Sequence, residues 1–117
     1  MKDVSAVEKQ NAIKAIKAGV KVALGTDAAV YPHGLNAHEV DVYVNQFGMS
    51  TLQGIQTGTI NATDLMGWTD KVGTIEPGKW ADIIAIDGDP LKDVKILQHV
   101  PFVMKSGMVY KDETHKQ

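Results

Sequence analysis

Apolar residues recur at helical spacing up to Gly67 and afterwards come in short β-branched runs broken by Pro and Gly. The period drops from about 3.6 to about 2, separating a helical part from a strand-rich one. Ser5 with Glu8 forms a capping box, each side chain satisfying the other's free backbone donor, and Val7, Ile13 and Ile16 mark an apolar face. With Gly19 as the stop, the spacing predicts a helix over residues 5–18. Val20, Val22, Ala23 and Leu24 form a nearly unbroken apolar run ending at Gly25-Thr26-Asp27. That is the pattern of a strand buried on both faces, hence parallel and flanked by helices.

Residues 28–35 contain Pro32 and Gly34 and read as a loop. Asn36 with Glu39 makes a second box, from which Val40, Val44 and Phe47 continue a helical stripe to Gly48. Ser50 with Gln53 opens a third helix through Leu52, Ile55, Thr59 and Ile60, which Gly58 weakens by about 1 kcal/mol relative to Ala. Asn61 then caps a short helix ending at Gly67. Beyond it, residues 72–75 and 82–87 are predicted to pair as a hairpin around Glu76-Pro77-Gly78-Lys79, a type II turn. Asp89-Pro90 starts one helical turn through Val94. Residues 102–105 and 108–111 form a second hairpin with Gly107 at a left-handed position.

Composition narrows the function classes. The 117 residues are 44% apolar and 22% charged, within the soluble globular range. The length suggests one domain and is too short for an eight-stranded β/α barrel, which takes about 250 residues. Net charge is −2, and all 12 basic residues are lysines, so nothing drives the chain electrostatically toward nucleic acid or an acidic membrane. With no apolar run near the roughly 20 residues of a membrane span and no signal-peptide pattern, a soluble, cytoplasmic protein is expected. The lack of cysteine excludes disulfides, thiolate metal sites and cysteine nucleophiles.

Among candidate residues, Asp27 stands first, because the carboxyl ends of parallel strands carry active sites in sheets and barrels. Spacing alone leaves open a catalytic or ligand role, or a loop cap made through local hydrogen bonds. His33 and His38 have four residues between them, but Pro32 and Gly34 put His33 in a loop, so they do not form a helical metal pair. His38 reads as a first-turn surface residue, while His33, on the loop after Asp27, is a candidate substrate contact. Tyr31 on the same loop serves either substrate or packing. His99 and His115 read as surface residues. No phosphate-binding glycine loop and no Gly-x-Ser-x-Gly elbow occurs. Trp68 and Trp80 flank the change of texture and are expected to seal the interface between the two parts.

Five motifs stand in order: residues 19–27, Gly-Val-Lys-Val-Ala-Leu-Gly-Thr-Asp; His33-Gly34-x-Asn36-Ala37-x-Glu39; Thr59-x-Asn61-Ala62; residues 72–82, Val-Gly-Thr-Ile-Glu-Pro-Gly-Lys-x-Ala-Asp; and Asp87-Gly88-Asp89-Pro90-Leu91. Together they resemble the C-terminal portion of metal-dependent amidohydrolases, in particular the branch with imidazolonepropionase-like enzymes and Xaa-Pro dipeptidases. The resemblance implies an α/β fold comprising the last strand and closing helices of a β/α barrel (residues 1–67), then part of a small β-sandwich (residues 68–117). It implies that Asp27 is the final-strand aspartate that binds the metal and shuttles a proton between the attacking water and the leaving amine. The other ligands, a His-x-His pair, a carboxylated lysine and two further histidines, belong to earlier strands that this sequence lacks.

One carboxylate does not hold a catalytic zinc, which takes three protein ligands and an open position. The expectation is therefore a fragment of an amidohydrolase, inactive alone, with zinc in the full-length enzyme and none tightly bound here. The parent would hydrolyse a small amide or dipeptide. Open strand edges predict self-association or residence beside a complementary N-terminal chain. The alternative is a noncatalytic binding or scaffold module that reuses the half-fold.

Overall fold

The computed structural model describes residues 5–27 and 32–115. Helix α1 (Ala6–Lys17) starts at the box expected from sequence: Ser5 Oγ accepts from Glu8 N–H at 3.2 Å, and the Glu8 carboxylate accepts from Ser5 N–H at 3.0 Å. It ends in a Schellman motif, with Gly19 N–H donating to Ile16 and Val20 N–H to Ala15. Helices α2 (His38–Asn45), α3 (Thr51–Thr57) and α4 (Ile60–Met66) follow. Ser50 and Gln53 cap α3 reciprocally, again as expected.

The main core lies between α1 and α2. Val42, Tyr43, Phe47 and Met49 are buried together, and Ala12, Ile13, Ile16, Val22 and Leu24 pack against them. The Tyr43 and Phe47 rings stack with centroids 6.1 Å apart. Val42 and Tyr43 are more deeply buried than Val44, which the stripe had favoured. The second face of α2 packs on a 3-10 helix (Val94–Gln98), where Val94 is only 2% exposed.

Three expectations are corrected. Residues 20–24 form no strand; Val20 is 57% exposed, and the segment's contacts come from helices. A ladder needs a neighbouring strand, and none lies beside this run among the described residues. Leu24 N–H instead donates to Thr57 O at 2.8 Å, and Val22 O accepts from Asn61 Nδ2 at 3.0 Å. Asn36 and Asn61 are not caps, since the N-cap position of α2 is Ala37, without a side-chain hydrogen bond, and that of α4 is Thr59. Nor do residues 72–75 pair with residues 82–87. The type II turn between them is present, with Gly78 at φ +90° and Lys79 N–H reaching Glu76 O at 3.3 Å.

Gly73 explains the lost pairing. Its φ is +102°, and a Cβ there would lie 2.7 Å from the Thr63 side chain, so the chain bends against α4 where a strand would run straight. Gly73→Ala is expected to cost about 2 kcal/mol, from strain plus displacement of the buried Thr63. Gly78→Ala, at a similar φ with open space around it, should cost less. Urea midpoints of the two variants check this.

The sheet is antiparallel, in the order β1 (Ile83–Ala85), β2 (Phe102–Lys105), β3 (Met108–Asp112). The β2–β3 hairpin matches expectation: Ser106 at φ +50° and Gly107 at φ +77° make the primed two-residue turn whose twist suits adjoining strands. A bulge follows Val103. The single turn expected at Asp89 divides. Asp89 Oδ1 accepts from Leu91 N–H at 2.9 Å, and Asp93 caps the 3-10 helix through Lys95 N–H.

Apolar surface is left over. Ile75 (82%), Leu65 (78%), Tyr110 (67%) and Met108 (62%) are among the large exposed side chains. Accessible surface is 8174 Å², against roughly 6,200 Å² for a folded monomer of this mass. The radius of gyration is 15.2 Å, against about 13.4 Å for a compact chain of this length. No helix among the described residues is long and apolar enough to cross a membrane.

Candidate functional site

Asp27 closes the 20–27 segment, exposed and at φ +48°. That left-handed conformation is uncommon outside glycine, and Asp is among the residues that adopt it. The segment leading to it is held at alternate residues: Val22 by Asn61, Leu24 by Thr57 O, and Thr26 by Asn36, whose Nδ2 donates to Thr26 Oγ1 at 3.0 Å. Asn36 Oδ1 also accepts the Gly34 N–H at 3.2 Å. The sequence reading missed both asparagines as clamps, because Asn beside a helix start carries the same signal as a cap.

His33 is exposed in the turn before α2, and His38 is the first residue of that helix, its Nδ1 3.8 Å from the Asp41 carboxylate. Tyr31 lies outside the described residues. His99 is exposed after the 3-10 helix, and His115 Nε2 lies 3.9 Å from Asp112. Trp68 and Trp80 meet edge to face at 5.6 Å, with Lys71 Nζ 5.2 and 5.6 Å from the two ring centroids. Both indoles are nearly half-exposed, so the pair does not seal an interface.

Glu39, in the first turn of α2, has its pKa raised above the ordinary 4.5 by partial burial, opposed by nearby His38. Below about pH 4.5 the carboxyl is protonated whether folded or unfolded, and burial costs nothing. As pH rises past that point the unfolded chain ionises first, so stability falls until the folded group ionises too. Glu39→Gln should therefore be the more stable form at pH 7 and match the parent below pH 4.5, as urea midpoints across pH would show.

Among the described residues, no three His, Asp or Glu side chains converge as a metal-holding group. Asp27 contributes one carboxylate, short of the three ligands a catalytic ion takes. By themselves these residues do not fit a divalent ion.

The amidohydrolase family model matches residues 2–111. Over 101 residues the chain is 41% identical to the ochratoxinase of Aspergillus niger, covering 83% of this chain and 21% of that protein. It is 36% identical over 104 residues to the imidazolonepropionase of Thermoanaerobacter pseudethanolicus, covering 82% and 24%. A crystal structure of a Xaa-Pro dipeptidase with methionine in its active site aligns with a TM-score of 0.84 at 41% identity, over 89% of this chain and 25% of that one. The chain thus spans about a fifth to a quarter of the length of these relatives.

Proposed function

The chain belongs to the amidohydrolase family, and from that premise we propose that it supplies the Asp27-bearing C-terminal part of an enzyme hydrolysing a carbon–nitrogen bond. In this reading residues 1–67 belong to a β/α barrel and residues 68–117 to a β-sandwich. The substrate is a small amide or dipeptide, with His33 beside it. Members of the family are generally metal-dependent; Asp27 is one ligand toward such an ion, zinc in our reading, and the others lie outside the described residues. The chain alone binds no catalytic ion tightly and is inactive.

The observation that carries this reading is Asp27 itself: an exposed carboxylate at the end of an apolar segment that Asn61 and Thr57 hold from helices and Asn36 holds from the turn before α2, yet without companions among the described residues that would complete a site. The surplus surface supports a covering partner, either a complementary N-terminal chain or a second copy. So does an apolar groove of about 340 Å³ between α4 and β1, lined by Met66, Val72, Ile75 and Ile84 among others.

The test is an assay of the zinc-supplemented chain against dipeptides and N-acyl amino acids, alone and mixed with the remaining barrel of a close relative. Turnover is expected only in the mixture. Turnover by the chain alone, abolished in Asp27→Asn, overturns the reading, and a folded but inactive mixture favours a noncatalytic module. Sedimentation of the isolated chain should show association; a clean folded monomer counts against the partner surface.

A further inference from the structure

We propose that Asn36 is a positioning residue that holds Asp27 in its left-handed conformation by gripping Thr26, an inference that rests on the reading of Asp27 as the site carboxylate. A non-glycine residue at φ +48° persists only where its surroundings determine it. Among the described residues no strand ladder does so: Asn61 and Thr57 fix the segment as far as Leu24, and the residue next to Asp27 is held by Asn36 Nδ2 on Thr26 Oγ1 at 3.0 Å. The same amide accepts Gly34 N–H at 3.2 Å, so one side chain ties the near end of the loop, at Thr26, to its far end, at Gly34. Asparagine suits this task because its amide donates from one atom and accepts at the other. Aspartate would also serve, since the Thr26 hydroxyl can turn to donate to a carboxylate.

A purely local role is the competing explanation, in which Asn36 only shapes the turn at Gly34. Thr26→Val separates the two, because it removes the bond toward Asp27 and leaves the bond to Gly34 in place. At positive φ the amide proton and Hα of one residue are close, so the intraresidue nuclear Overhauser effect of Asp27 in the isotope-labelled chain reads its conformation directly.

Asn36→Leu and Thr26→Val are each expected to abolish the strong Asp27 signal, with no further loss in the double variant. Asn36→Leu should also speed Gly34 amide exchange about fivefold to tenfold, the scale of one lost hydrogen bond. Thr26→Val should leave that exchange unchanged, and Asn36→Asp should keep both readouts. Retention of the Asp27 signal in Thr26→Val overturns the proposal, and this variant decides alone if Asn36→Leu does not fold. If the signal is lost as expected but Asp27→Asn leaves a reconstituted enzyme's turnover intact, the positioning stands and the reading of Asp27 falls.

Discussion

Phe47→Ala should lower the unfolding free energy by about 3–5 kcal/mol, the usual cost of emptying a buried aromatic site. The urea midpoint falls while the slope stays constant, as for a change confined to the native state. Phe47 is 9% exposed, stacks on Tyr43 and closes the cluster with Val42 and Met49. That cluster is small, while Ile75, Leu65 and Tyr110 remain largely in water. Domains have about 5–15 kcal/mol of stability in all, and a chain with this much uncovered apolar surface belongs at the low end. About 0–2 kcal/mol then remains, so Phe47→Ala is expected to be only marginally folded and to unfold at very low urea. Ile75→Ala is the control: at 82% exposure its side chain has little to lose, and the midpoint should barely move.

The contrast between these residues also shows what the sequence made legible. Most local signals were read correctly, the caps expected at Asn36 and Asn61 excepted. The boxes at Ser5 and Ser50 and the turn at Ser106-Gly107 depend on neighbours within a few residues, and each forms as read. The strand over residues 20–24 was misread because an apolar run reports burial without naming what covers it. Strand pairing is satisfied between segments, and here helices α3 and α4 provide the bonds that a ladder would have made. Gly73 failed for a related reason. Within a β-branched run a glycine looks like a weak strand residue, and only Thr63, ten residues earlier on α4, shows why a side chain is excluded. For the candidate site, the place of Asp27 at the end of an apolar run was readable, whereas its backbone conformation and its tie through Asn36 were not. Both arise from a contact across the loop that spacing does not encode.

Asp27→Asn, in an enzyme assembled from this chain and the rest of a barrel, should reduce turnover by a factor of about 10²–10⁴, the range for losing a positioned acid–base group. The argument follows from what the substitution preserves. Asparagine has nearly the same shape and, like aspartate, adopts the left-handed region, so the φ of +48° should survive. Asp27 is exposed, and none of the stabilising contacts described above uses its carboxylate, so the urea midpoint should not fall. What disappears is a group able to take a proton from the attacking water and return it to the departing amine. An amide does neither near neutral pH. The loss should therefore appear in kcat, with a smaller change in KM. Asp27→Ala separates shape from charge: it removes the carboxylate and also strains the left-handed position, so it should be at least as inactive and somewhat less stable. Turnover of Asp27→Asn within about twofold of the parent would remove Asp27 from the chemistry and leave it a structural role at the end of the segment.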